Sequence, residues 1–84
     1  MFVTYLLQSE KNGKSYVGVT EKDPKTRLAE HNGGSNEWTR LNRPFRLIYY
    51  ETYHCSLDAY SRERFLKSGI GNRLVKLLLK EFGT

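Results

Sequence analysis

The 84-residue sequence predicts a small α+β domain: a three-stranded antiparallel sheet flanked by helices, in the order β-β-α-β-α-α. Three observations carry this. Two runs rich in β-branched, aromatic and aliphatic residues, 2–8 and 15–20, flank an Asn-Gly pair, and a third such run covers 45–52. Helix-start and helix-stop residues bracket the stretches between and after the strands. The length suits one domain over residues 1–84 and is too short for two, with a core that removes only roughly 60–65% of the unfolded surface from water.

Phe2-Val3-Thr4-Tyr5-Leu6-Leu7-Gln8 forms the first strand and Ser15-Tyr16-Val17-Gly18-Val19-Thr20 the second. Lys11-Asn12-Gly13-Lys14 reads as a two-residue hairpin turn, which pairs Lys11 with Lys14 and hence Tyr5 with Thr20. Asp23 suits an N-cap and Pro24 a first helical position, where its missing N–H costs nothing. That helix runs to about Glu30 or His31 and stops at Asn32-Gly33-Gly34. Residues 35–44 read as irregular, with a helical turn around Trp38, closed by Pro44. After the third strand, Ser56 caps a helix over about 57–67, which Ser68-Gly69-Ile70-Gly71 breaks. Asn72 caps a last helix, 73–82, with Leu74, Leu77, Leu78 and Phe82 as its apolar stripe. No internal repeat, low-complexity tract or linker interrupts the chain.

The net charge is +5, unevenly spread. Residues 1–42 carry six bases against five acids, and residues 43–84 carry eight against four. A basic balance points weakly to an anionic partner such as nucleic acid. No apolar run approaches 18 residues, so no membrane-spanning helix is expected. The first residues lack the basic start and cleavage site of a signal peptide. A single cysteine, Cys55, fits a reducing compartment, and the expected location is cytoplasmic. One cysteine and two histidines, His31 and His54, leave too few soft ligands for a four-ligand zinc site.

In that hairpin Tyr5, Tyr16, Gly18 and Thr20 share one face of the sheet, so two phenols stand on the same side; a one-residue slip would separate them. The plainer reading is a pair of ordinary half-buried strand tyrosines. Arg27 and His31, four apart, share a helix face that either reaches the sheet or faces water. Glu63 shares a stripe with Ala59, Arg62 and Leu66, where it serves as an ion-pair partner for Arg62 or as a ligand for a hard cation. Phe45, Tyr49 and Phe65 read as core, and Trp38 less so. Aromatics interleaved with Arg40, Arg43 and Arg46 suit stacking on bases and gripping phosphates. His54-Cys55 has no productive geometry as a nucleophile with its base, because sequence neighbours rarely face each other.

Together these residues resemble the GIY-YIG nuclease family over nearly the whole chain. Val3-Thr4-Tyr5 stands at the first tripeptide, matching only in its tyrosine, and Tyr16-Val17-Gly18 fits the second closely. Thr26-Arg27-Leu28-Ala29-Glu30-His31-Asn32 is similar to the family's arginine helix. Arg43-Pro44-Phe45-Arg46-Leu47-Ile48-Tyr49-Tyr50-Glu51 is similar to its third strand, and Ser61-Arg62-Glu63-Arg64-Phe65-Leu66-Lys67-Ser68-Gly69 to its glutamate helix. The nearest likeness is to the small members that consist of this domain alone. Val19 stands where some members place a lysine, and Asn72 comes sooner after the glutamate than the asparagine some members carry.

The resemblance implies divalent-metal-dependent hydrolysis of a DNA phosphodiester, on structured or damaged DNA as in DNA repair, with RNA left open. By position, Glu63 would hold one Mg²⁺ or Mn²⁺ and Arg27 the scissile phosphate. Tyr5 and Tyr16 would orient or deprotonate the attacking water, with Tyr5 the favoured base, and His31 would assist proton transfer. The chemistry suits these residues, since a cation and a guanidinium offset charge on phosphate oxygens, and Mg²⁺ needs few protein ligands. Arg40, Arg43, Arg46, Lys67 and Arg73 would hold flanking phosphates. Two other readings use the same fold: a non-catalytic nucleic-acid-binding module, and a protein-interaction domain pairing with a partner or a second copy through the last helix.

Overall fold

In the computed structural model, which describes residues 1–83, β1 (Phe2–Ser9) is the central strand. It pairs antiparallel with β2 (Ser15–Thr20) on one side and β3 (Phe45–Tyr53) on the other. Between β2 and β3 come α1 (Pro24–Asn32) and a short α2 (Glu37–Asn42); α3 (Ser56–Lys67) and α4 (Gly69–Phe82) follow. The expected α+β architecture is present. The helical turn expected around Trp38 is a six-residue helix, closed at its start by a capping box between Asn36 and Thr39.

The hairpin register differs from the expected one by two residues. Tyr5 faces Gly18, and Val3 faces Thr20. A two-residue type I′ turn needs positive φ at both central residues, whereas only Gly13, at φ +77°, has it. The chain instead makes a four-residue loop over 10–13, whose backbone N–H groups at Lys11 and Asn12 donate to Ser9 Oγ at 3.1 and 3.3 Å. A shift of two preserves the alternation of faces, so both tyrosines stay on one side.

α1 starts as its sequence dictates, with Asp23 Oδ1 accepting from Lys25 N at 2.8 Å and Pro24 in the first turn. Two helix starts differ from expectation. Ser56 is the first residue of α3, after Cys55, which makes no side-chain cap bond. α4 begins at Gly69 rather than 73, capped by Ser68, whose Oγ accepts from Gly71 N at 3.2 Å; Asn72 lies inside the helix. The glycines that read as a breaker are helical. A Cβ on Gly71 would run into the Phe65 carbonyl, so this glycine lets α4 cross close over the end of α3.

The sheet separates two cores. Val3, Tyr5, Leu7 and Phe45 face α1 and α2, with Leu28 and Trp38 packed against them. Leu6 and Val17 face α3 and α4, meeting Leu66, Val75, Leu74, Leu78 and Leu79. The α4 stripe is therefore rotated from the expected one: Val75 is buried, while Leu77 and Phe82 are exposed. Trp38 joins the first core, and Phe65 is 39% exposed, with the Arg62 guanidinium 5.1 Å over its ring. Because β2 is an edge strand, groups on either face can meet around its free edge.

Candidate active site

β1 and α1 bring Tyr5 and His31 into contact. The Tyr5 hydroxyl and His31 Nε2 share a hydrogen bond of 2.8 Å, and both residues are buried, at 2% and 0% exposure. Tyr16 from β2 completes an aromatic cluster, with its ring 4.9 Å from His31, edge-on, and 6.2 Å from Tyr5. The Trp38 ring packs near both Tyr16 and Phe45, with centroids 5.5 Å apart in each case, and also lines an open groove. Gly18 makes this assembly feasible. A Cβ there would stand 2.5 Å from the Tyr5 hydroxyl oxygen and 3.0 Å from Tyr16 Cε2, so the phenol passes through space that any other residue would fill.

Arg27 stands one helical turn before His31. Its Nη1 donates to Glu30 Oε1 at 2.9 Å, and Glu30 in turn pairs with Lys22. The Arg27 side chain keeps 28% of its surface exposed, so its position is fixed without being sealed from a ligand. Burial pushes the Tyr5 phenol up to about 12, against the pull of the Arg27 guanidinium beside it. Burial also pushes His31 down to about 4, and the Arg27 charge adds to the effect. His31 is thus neutral near pH 7. A guanidinium has only donors, so the Tyr5 lone pairs turn toward Arg27 and the phenol proton toward Nε2. That assigns the other ring proton to Nδ1, which faces Ser35 Oγ at 3.4 Å.

Glu63 belongs to α3, on the other side of the sheet. Its side chain is 20% exposed and accepts from Lys67 Nζ at 3.3 Å. Its charge is the smallest of the influences that raise the Tyr5 phenol, and its partner Lys67 lines the groove that Tyr16 and Trp38 also line. The ion pair expected between Arg62 and Glu63 is absent. Arg62 instead makes a forked pair with Glu51 at 2.9 and 3.2 Å, and Tyr49 and Tyr53 each donate to the same carboxylate at 2.6 Å. Burial opposes ionisation of Glu51, but the three partners together hold it below the usual carboxylate range. Donating its bond to Glu51 pushes the Tyr53 phenol up to about 12. Sequence reasoning missed Glu51; the only signal was its alternation with Tyr49 and Tyr53 on one face of β3.

The five basic residues expected to hold phosphates fall in three places. Arg40 and Arg43 are exposed at the end of α2, where Arg43 Nη1 reaches the Asn32 carbonyl at 3.4 Å. Arg46 bonds Gln8 Oε1 at 3.3 Å on β3. Lys67 and Arg73 are exposed on α3 and α4, and Lys67 lines a groove of about 420 Å³ that also takes in Tyr16 and Trp38.

Among the described residues no three His, Cys, Asp or Glu side chains converge on one point. A cation here would rest on Glu63 with water and substrate oxygens completing its shell, a donor set that suits Mg²⁺ or Mn²⁺ and not zinc. Among the same residues no helix is long and apolar enough to cross a membrane.

The chain has counterparts among known proteins. Residues 1–73 match the model of the GIY-YIG catalytic domain, and the chain belongs to that nuclease family. It is similar to a UPF0213 protein of Staphylococcus epidermidis, 32% identical over 68 residues that cover 80% of this chain and 82% of the relative. A UPF0213 protein of Clostridium perfringens is 31% identical over 78 residues, 93% of this chain and 83% of the relative. No solved structure matches the chain.

Proposed function

We propose that the protein is an endonuclease that hydrolyses phosphodiester bonds in structured or damaged DNA, using one Mg²⁺ or Mn²⁺ held by Glu63. The observation that carries this reading is the packing of Tyr5, Tyr16 and His31 into one cluster, one helical turn from Arg27 and beside a groove that α3 lines through Lys67, the partner of Glu63. A bound cation would acidify a coordinated water and offset phosphate charge. Arg27, braced by Glu30, presents its partly exposed guanidinium to the nonbridging oxygens of the scissile phosphate. Tyr5 keeps its proton, because burial holds it at about 12, and acts as the strut that positions Arg27 and His31. This reverses the preference for Tyr5 as base. Tyr16, half-buried and lining the open groove, is the phenol that orients the attacking water, and it takes that water's proton only after giving up its own to solvent. Neutral His31 fixes the Tyr5 hydroxyl and links it to exposed Ser35.

The test is nicking of branched and plasmid DNA with Mg²⁺ or Mn²⁺. Wild-type protein is expected to cut, and Glu63→Ala to lose about 10³-fold in rate with DNA binding retained. Tyr16→Phe is expected to lose more activity than Tyr5→Phe. Undiminished nicking by Glu63→Ala overturns the metal assignment. Binding without cleavage in either metal marks a non-catalytic module, and cleavage of RNA alone would change the substrate.

A further inference from the structure

The groove beside Tyr16 has a composition that the proposed chemistry does not require. It holds about 420 Å³, within the range of small-molecule sites. Tyr16 and Trp38 make an aromatic wall, Leu66 contributes apolar surface, and Ser15, Lys67 and Asn72 supply the polar groups. Among the described residues neither the Ser15 hydroxyl nor the Asn72 amide has a hydrogen-bond partner within the chain, so both are free to pair with a ligand. Among the described residues Lys67 is engaged only by Glu63, at 3.3 Å.

We propose that this groove is a subsite for one unpaired nucleobase next to the scissile phosphate, held by the Tyr16–Trp38 wall and read by Asn72 and Ser15. The inference rests on the nucleic-acid reading of the neighbouring cluster, with which it shares Tyr16. An aromatic wall binds the face of any base. An amide offers a donor and an acceptor side by side, the pattern that pairs with a base edge. A Lys67 ammonium beside them suits the phosphate of the same nucleotide. A base inside a duplex has both faces stacked and cannot enter such a groove without leaving the helix. The substrate class that follows is a nucleic acid with an unpaired, looped or extrahelical base at the cleavage point. This gives the small domain a means of selecting a target by shape.

The chain has one tryptophan, so its emission reports on this wall alone. The experiment uses Glu63→Ala protein with no added metal and two labelled single-stranded oligonucleotides of equal length. One is intact and the other is abasic throughout. The intact strand is expected to bind about tenfold tighter by anisotropy and to quench Trp38, and the abasic strand to leave emission unchanged. Trp38→Leu keeps an apolar but smaller side chain against Phe45, and it should remove the preference for the intact strand while affinity for the abasic strand remains. Asn72→Ala, at an exposed position, should change the order of affinity among the four homopolymers. Equal affinity for the two strands, equal quenching by both, or no binding of either overturns the subsite. The two readings fail separately. If wild-type protein cuts nothing in Mg²⁺ or Mn²⁺ yet base-dependent quenching persists, the nuclease reading fails and the subsite stands. Cleavage with no preference for the intact strand does the reverse.

Discussion

The two faces of the sheet bury different chemistry. Toward α1 and α2, β1 sends Val3, Tyr5 and Leu7, and the core they enter also contains a neutral histidine and a hydrogen-bonded phenol. Toward α3 and α4 it sends Leu6 into an aliphatic core with Val17, Leu66 and Val75. The polar groups on that second face are paired with one another or with backbone. Thr4 Oγ1 donates to the Ala59 carbonyl at 2.9 Å, and Glu51 gathers Arg62, Tyr49 and Tyr53. The period-two alternation of one strand thus divides the molecule into a reactive face and a mounting face. Glu63 belongs by its backbone to the mounting face, and its partner Lys67 lines the groove beside Tyr16. Its place depends on how α3 is fixed.

The largest expected effect on stability tests the reactive face through pH. His31 titrates near 4 in the fold, below its ordinary 6.5, because of burial and then the Arg27 charge, with Glu30 opposing. The unfolded chain therefore takes up a proton that the folded chain refuses. Stability is fully present above pH 6.5 and falls as the pH drops from 6.5 toward 4. About 2.5 units at about 1.36 kcal/mol each correspond to about 3 kcal/mol. Urea melts at pH 7, 6 and 5 should show the decline, and His31→Phe should flatten it. Glu30 and Glu51, both held below the ordinary carboxylate range, add a separate loss below about pH 4.5. An unchanged slope in His31→Phe would show that the reactive face does not set the acid response.

The middle effect tests the mounting face. Glu51→Gln preserves shape but removes the charge that Arg62 and two phenols address, at side-chain exposures of 28% for Arg62 and 19% for Glu51. The expected cost is about 2 kcal/mol. Arg62 directly precedes Glu63, so loosening its fork should also raise the Mg²⁺ concentration needed for half-maximal cleavage. The acid slope set by His31 should not change. Thermal melts and a metal titration check both expectations. A rise in metal requirement without loss of stability would show that Glu51 acts on the site by charge and not by fixing α3.

The contrast between the faces was only partly legible in the sequence. The strands, the α1 cap and the shared face of Tyr5 and Tyr16 follow from local patterns: alternation, Asp23-Pro24, and Asn12-Gly13 as a turn. What local patterns could not supply is tertiary. The hairpin register depended on Ser9 Oγ organising a longer loop. The helical state of 69–72 depended on Gly71 fitting against the Phe65 carbonyl. The partner of Arg62 lies eleven residues away on another element, so proximity in sequence suggested Glu63 and the fold selected Glu51. The burial that holds Tyr5 protonated likewise comes from α1 covering β1, which no residue near Tyr5 announces.

The smallest effect compares two helix caps of similar strength. Asp23 caps α1, and Ser68 caps α4 by accepting from Gly71 N while donating to the Phe65 carbonyl at 2.6 Å. Replacing either by alanine should cost about 1 kcal/mol. Their consequences for the site should differ. Arg27 N donates to the Asp23 carbonyl, so the first turn of α1 carries the guanidinium directly, and fraying there releases Arg27 from its ion pair with Glu30. The first turn of α4 carries none of the five proposed catalytic side chains. Asp23→Ala should therefore lower the cleavage rate more than Ser68→Ala at matched loss of stability, with Lys22→Ala giving only a small change because its pair with Glu30 is exposed. Equal loss of rate in the two cap variants would mean that cleavage follows global stability, and the division into reactive and mounting faces would then be structural only.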